Sequence, residues 1–300
     1  MAKNLLNKYV WLVETIYKAG NITFEELNEK WLDNDMSEGV ELALRTFHKW
    51  RIAAEEMFGL IIECERKGGY HYYIANADEI KSGSLRSWLL STISVSNLLI
   101  DNQNLKERII LEDIPSGQEY LSTIIEAMKK NQVLRITYQS YWREESNTFN
   151  VEPYCVKLFK QRWYMLALST GIDEIRVYSL DRIHAIEPTS RKYKLPKGFD
   201  AELYFRNTYG VSGMECDPQL VEIRIEAYQA NYLRTLPIHS SQEEIERNDD
   251  YSVFRYNIVP TFEFMQELRK QGSTLEVLSP KWLRDEFTQE AVNLYGMYKG

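Results

Sequence analysis

The sequence has only three cysteines, Cys64, Cys155 and Cys216, odd in number and far apart. That excludes a disulfide framework and a paired-cysteine metal site, and it points to a reducing compartment. The four histidines, His48, His71, His184 and His239, are too scattered to sit at metal-ligand spacing from one another or from a cysteine. No apolar run reaches the roughly 18–20 residues of a membrane span. The opening Met-Ala-Lys-Asn-Leu-Leu-Asn-Lys-Tyr lacks the apolar stretch and small-residue cleavage site of a signal peptide. The reading is a soluble, cytoplasmic protein with no membrane partner. Catalytic signatures are missing too: there is no Gly-x-x-x-x-Gly-Lys phosphate loop, Gly-x-Gly-x-x-Gly, His-Glu-x-x-His or Gly-x-Ser-x-Gly elbow. Glu243-Glu244 and Asp249-Asp250 are neighbours in a polar stretch and read as solvated turn residues. The expectation is a protein that is not an enzyme and needs no metal or cofactor.

What is present describes a well-packed chain. Of 300 residues, 44% are hydrophobic and 13% aromatic, which excludes bulk disorder and allows two or three domains. The net charge of −8 makes the whole a poor binder of polyanions. The charge is uneven: −3 over residues 1–75, −2 over 76–133, +3 over 134–200 and −6 over 201–300. Nucleic-acid contact therefore requires local basic surface. In residues 1–75 the acids are expected on the first two helices.

Hydrophobic periodicity orders the elements. Leu5, Leu6, Tyr9, Val10, Val13, Ile16 and Tyr17 predict a helix over 3–19 that Gly20 ends. Thr23-Phe24-Glu25-Glu26 fits a capping box opening a second helix, with Phe24, Leu27 and Trp31 inward. A third helix is predicted over about 40–57, with Leu44, Phe47, Trp50, Ala54 and Met57 inward and Gly59 as stop. Leu60–Cys64 and Tyr70–Ile74 then read as strands around a Gly68-Gly69 turn. Three helices and a hairpin is the order of a winged helix-turn-helix, assigned to 1–77. Residues 78–132 read as a helical connector with apolar sets Trp88, Leu89, Ile93, Leu98, Leu99 and Tyr120, Leu121, Ile124, Ile125, Met128. Six short strands between Val133 and Ile186 suggest a small barrel over 133–192, and Lys192–Phe199 a linker. Residues 200–300 alternate strand and helix, an α+β arrangement taken as ferredoxin-like. The fold class is α+β.

The second block carries a pattern. Tyr138, Val151-Glu152-Pro153-Tyr154, Arg162-Trp163-Tyr164-Met165-Leu166-Ala167 and Arg176-Val177-Tyr178-Ser179-Leu180-Asp181-Arg182-Ile183 together resemble the WYL domain. Arg45-Thr46-Phe47, Phe58–Glu63 and Gly68-Gly69-Tyr70 resemble the winged helix that precedes such domains in bacterial regulators. Leu275–Arg284 resembles the WCX extension that follows them. Met165 stands where the name-giving motif has leucine, Phe149 where a basic residue is common, and Lys49-Trp50 where the recognition helix often has Arg-Asp. The resemblance implies a dimeric bacterial transcription regulator whose Sm/SH3-like barrel holds a nucleotide or short nucleic-acid effector. The partners it implies are a double-stranded DNA operator and a second copy of the chain.

Candidate residues follow. Arg45, Thr46, His48, Lys49 and Arg51 cluster early in the third helix, where a recognition helix touches phosphates and base edges, and Arg66, Lys67 and His71 lie on the wing. An ordinary solvated helix face is the plain alternative. Tyr138, Ser140, Tyr154, Tyr164, Arg176 and Arg182 are carried over from the family pattern as ligand contacts. Arginines suit phosphates and tyrosines suit unpaired bases. Trp163 reads rather as a core anchor, and Arg182 beside Asp181 as either a ligand contact or a turn tie. Lys157, Lys160 and Arg162 add local positive charge. Trp282, Leu283 and Phe287 read as core, with Lys281 and Arg284 free to reach a partner subunit. Repression relieved by a signal is the preferred function. Two other readings stay open: an RNA- or single-strand-binding module with a structural winged helix, and a protein-interaction adaptor.

Overall fold

A computed structural model describes residues 2–67, 69–80, 117–212 and 216–299, with 89, 90, 92, 93, 95 and 108 between. The chain divides into two compact units, 1–112 and 113–300. Most of the predicted connector, including Trp88, Leu98 and Leu99, lies outside the described residues, as does Gly68 of the hairpin turn.

The first unit holds helices α1 (Ala2–Ala19), α2 (Phe24–Leu32) and α3 (Leu44–Phe58) and an antiparallel pair, β1 (Ile62–Glu65) and β2 (His71–Ile74). The predicted capping box is present: Thr23 Oγ1 accepts from the Glu26 N–H and the Glu26 carboxylate accepts from the Thr23 N–H. Gly59 ends α3 in the left-handed region at φ 61°, a conformation that favours glycine. Edge-on contacts of Trp31 with Trp11 (5.0 Å) and Trp50 (5.1 Å) tie the three helices into one core. Two expectations fail on α3. It starts at Leu44 rather than residue 40, and Leu44 and Met57 are exposed while Phe58 is buried. The inward stripe is Phe47, Trp50, Ala54 and Phe58, a straight 3.6-residue progression that leaves 44 and 57 on its flanks.

The second unit begins with α4 (Leu121–Lys129), whose Ile124 and Ala127 pack into the core of a five-stranded antiparallel sheet. Its strands are β3 (Gln132–Tyr138), β4 (Asn147–Phe159), β5 (Arg162–Ser169), β6 (Glu174–Ser179) and β7 (Ile183–Lys192), in the order β6-β5-β4-β3-β7. The last strand thus lies beside the first. Two predicted strands merge into β4, which bends where the register shifts between Pro153 and Cys155, because proline donates no ladder hydrogen bond. After the short α5 (Ala201–Phe205) come β8 (Gln219–Glu226), α6 (Ala227–Thr235), β9 (Glu243–Arg247), β10 (Tyr251–Ile258), α7 (Phe262–Arg269), β11 (Leu275–Ser279) and α8 (Lys281–Lys299). The order is β11-β8-β10-β9, all antiparallel. Glu243-Glu244, read as turn residues, belong to the edge strand β9, and Glu244 is clasped by Arg234 at 2.6 Å. Charged residues suit an exposed edge, which is why the stretch lacks an apolar strand signature. Leu283 is buried and Phe287 half-buried, whereas Trp282 is exposed and donates its indole N–H to Gln219. Arg284 is held by Glu276 at 2.8 Å.

Among the described residues no helix is long and apolar enough to cross a membrane, and no group of side chains is placed to hold a metal ion.

Candidate functional site

In the first unit the buried stripe of α3 dictates what its other face shows. Arg45 and Lys49, one turn apart, are exposed, and neither pairs with a carboxylate among the described residues. Thr46 beside them is half-buried. His48 turns its ring toward the core, 5.2 Å from Phe47 and 6.4 Å from Tyr72. Arg51 is half-buried 3.9 Å from Glu55, with its Nε buried and unbonded. Arg66 and Lys67 are exposed between β1 and β2, while His71 is half-buried opposite Glu65. The acids are not where the sequence placed them. Only Glu14, Glu25, Glu26 and Glu29 lie on α1 and α2; the others are on residues 33–41, the second half of α3 and β1. Some have structural partners: Glu55 accepts the Ile62 N–H at 2.8 Å and Glu63 the Tyr73 hydroxyl at 2.7 Å.

In the second unit a cleft of about 550 Å³ opens where the β3–β4 loop meets β6. It brings together Tyr138, Ser140, Arg176 and Arg182 of the predicted set. The Arg182 guanidinium stacks on two rings, 4.5 Å from the centroid of Tyr141 and 5.2 Å from that of Tyr138. Its neighbour Asp181 is engaged by Arg162 at 3.6 Å and by the Ser179 hydroxyl, so Arg182 does not tie down its own turn. Burial pushes the Tyr138 hydroxyl up to about 12, although Arg182 pulls the other way. The phenol therefore stays neutral near pH 7; its oxygen accepts the Ser179 N–H at 3.3 Å, which leaves its proton to donate. Arg176 faces the cleft but is bonded to the Glu174 carboxylate at 2.7 and 3.0 Å.

Among the lining residues outside the predicted set, Trp142 and Arg143 carry the most distinctive chemistry. Gln139 fixes their loop by donating its amide to the carbonyls of Arg143 (2.8 Å) and Glu144 (3.0 Å). Trp142 is nonetheless 96% exposed, an indole face offered to solvent at the cleft wall. The signal was the run Tyr141-Trp142-Arg143 inside a polar stretch, where nothing apolar is near enough in sequence to bury a tryptophan. Two predicted contacts lie elsewhere. Tyr154 is buried against Tyr193 and Phe199, and Tyr164 sits on β5 opposite Lys157 and Ser179.

The lysines expected to add positive charge are used internally. Lys160 pairs with Glu267 at 2.6 Å, and Lys157 donates to the Gly210 carbonyl at 2.6 Å with its ammonium 4.0 Å from the Phe205 ring centroid. Burial lowers Lys157 from the ordinary 10.5 to about 8 and raises the adjacent Cys155 from 9.0 to about 11. The lysine, with its folded value depressed, opposes folding below about pH 8 and relents as pH climbs toward 10.5; the thiol, with its folded value raised, starts to oppose folding above pH 9. The melting temperature is therefore expected to rise between pH 8 and 9, and Lys157→Met to flatten that rise. An equal rise in the variant would assign it to other groups.

Residues 119–188 match the WYL domain and residues 217–295 the WCX domain. No curated protein is similar enough to match. Among solved structures, proteasome accessory factor B/C (PafBC) of Arthrobacter aurescens is 18% identical over 95% of this chain and 45% of its own, with a TM-score of 0.35. A CRISPR Cas-related protein is 13% identical over 99% of this chain and 85% of its own, with a TM-score of 0.41. The chain thus spans under half the length of PafBC. The residues lining the cleft, 138 to 182, all fall inside the first matched segment. The chain thus carries a WYL domain over residues 119–188, followed by a WCX domain over residues 217–295.

Proposed function

We propose that the chain is a ligand-responsive, DNA-binding transcriptional regulator without catalytic activity. In this reading α1–α3 with β1 and β2 act as a winged helix-turn-helix, and α3 enters the major groove. The five-stranded sheet, with its last strand beside its first, serves as the Sm/SH3-like barrel; the β-α-β-β-α-β run of residues 219–279 is the ferredoxin-like WCX domain. Two copies read two half-sites related by two-fold symmetry. The observation that carries the reading is the pair Arg45 and Lys49, exposed and unpaired among the described residues on the face of α3 that the core does not use. Its test is duplex binding by the Arg45→Ala, Lys49→Ala chain, expected to fail while the fold is kept.

The effector, in the same reading, is an anionic nucleotide or short oligonucleotide held by the cleft guanidiniums, with a base against Trp142 or Tyr141. It shifts DNA affinity only by the difference in its own affinity for the two arrangements, and relief of repression is the preferred direction. Arg182→Ala removes a guanidinium already oriented by two rings. We expect roughly 10- to 150-fold weaker binding of a short single-stranded oligonucleotide by calorimetry, the equivalent of a charge-assisted bond of about 1.5–3 kcal/mol. Arg176→Ala should cost less, because Glu174 already shares that charge. Equal affinities for wild type and Arg182→Ala would remove the effector from the cleft.

A further inference from the structure

β7 leaves its sheet through Arg191-Lys192-Tyr193-Lys194-Leu195-Pro196-Lys197, four cations in seven residues with no acid among them. Tyr193 anchors the strip. It is buried with Val133 and Tyr154, its hydroxyl donates to the Pro153 carbonyl and its N–H to the Asn131 carbonyl at 2.9 Å. With Tyr193 turned inward, the alternation of an extended chain turns Lys192 and Lys194 outward, about 6.6 Å apart along the backbone. All four cations are exposed, and none pairs with a carboxylate among the described residues. The arginines farther along are mostly engaged: Arg224, Arg234, Arg255, Arg269 and Arg284 all sit in ion pairs.

Lys192 lies opposite Gln132, which brings the strip beside Lys129 and Lys130 at the end of α4. Those two already have a structural role, since cations offset the dipole at a helix C-terminus and Lys130 pairs with Glu126 at 2.9 Å. The four at and beyond the end of β7 form no ion pair among the described residues; Arg191 alone acts on a carboxylate, opposing the burial that raises Glu152. Nor do they belong to the cleft. The cleft touches β3 at Tyr138 and lies by Arg182 at the start of β7, whereas the strip is at the opposite ends of both strands, about 20 Å along β3.

We propose that Arg191, Lys192, Lys194 and Lys197 form a second polyanion-binding surface, which grips the phosphate backbone of nucleic acid without reading its bases. A chain of net charge −8 is repelled by polyanions overall and needs such a local concentration to hold one. Lysine-rich clusters act as point charges on phosphates rather than as base readers, and a backbone pinned at Tyr193 lowers the entropy lost on contact. This surface needs neither α3 nor the cleft.

The test uses the full chain, Arg191→Gln, Lys192→Gln and Lys194→Gln together, and a fluorescent mixed-sequence probe, duplex or single-stranded, titrated over a salt series. Loss of three phosphate contacts should flatten the slope of log affinity against log salt by about 2.7 on duplex or about 2.1 on single strand. The probe on which the slope changes tells which form lies along the strip. A charge-matched control, Arg247→Gln, Lys281→Gln and Lys299→Gln, should leave the slope where it was. An unchanged slope on both probes, an equal drop in the control, or no binding by the wild type at low salt would each overturn the proposal. An unaltered melting temperature verifies that the triple variant is folded.

Discussion

Gly117→Ala is expected to destabilise the second unit by about 3–4 kcal/mol, read as a lowered urea midpoint at unchanged slope. Gly117 opens the short helical turn 118–120 at φ 64°. A Cβ there would lie 2.3 Å from the carbonyl carbon of Leu180 and 2.4 Å from the nitrogen of Asp181. Both are backbone atoms and cannot rotate away. They also cannot retreat, because Leu180 is fully buried in the sheet's core. The left-handed conformation costs an alanine about 1–2 kcal/mol, and overpacking adds about 1–3 kcal/mol. Gly20→Ala separates these terms: its φ is 72° with nothing within 4 Å of the added carbon, so only the conformational cost of about 1–2 kcal/mol applies. The turn that Gly117 abuts carries Arg182. The variant should therefore bind oligonucleotide more weakly even where it is still folded. If Gly117→Ala and Gly20→Ala cost the same, residue 117 does not approach the turn as closely as described.

If α3 reads duplex DNA as proposed, the Arg45→Ala, Lys49→Ala chain should lose about 100-fold or more in duplex affinity while its melting temperature stays near that of the wild type. Each base-edge contact is worth about 1–3 kcal/mol, and each phosphate contact adds its share of counterion release. Both side chains are exposed, so their removal opens no cavity, and alanine is the strongest helix former. Arg51 offers the contrast. It shares a helix with them but lies half-buried against Glu55, so its removal should be read first in stability. Undiminished duplex binding by the double variant would overturn the proposed role of α3.

Much of this was legible from spacing, because the deciding physics is local. The Thr23–Glu26 box and the Gly59 stop each need only a few neighbouring residues. The inward stripe of α3 was legible at its centre, Phe47, Trp50 and Ala54, and not at its ends, where the neighbouring chain decides burial of Leu44 and Met57. The bend in β4 has its cause in Pro153, yet a proline between two apolar runs reads as a break when the partner strand is unknown. β9 was illegible because an edge strand buries almost nothing. The cleft was half legible. Tyr138, Ser140, Arg176 and Arg182 were legible through the family pattern and do meet at the cleft, whereas Tyr154, carried over from the same pattern, is buried in the cluster around Tyr193.

The seam between the two matched domains has its own consequence. Lys160 reaches Glu267 across it, Tyr209 donates to the same carboxylate at 2.9 Å, and Lys157 holds the Gly210 carbonyl. The connecting segment also bonds forward, the Val259 N–H donating to the Asn207 carbonyl and the Thr261 hydroxyl to that of Tyr209. A nick engineered after Ser212 would leave two fragments that co-purify. The WCX domain is thus riveted to its neighbour rather than leashed to it, and an effector in the cleft would have to carry both as one body.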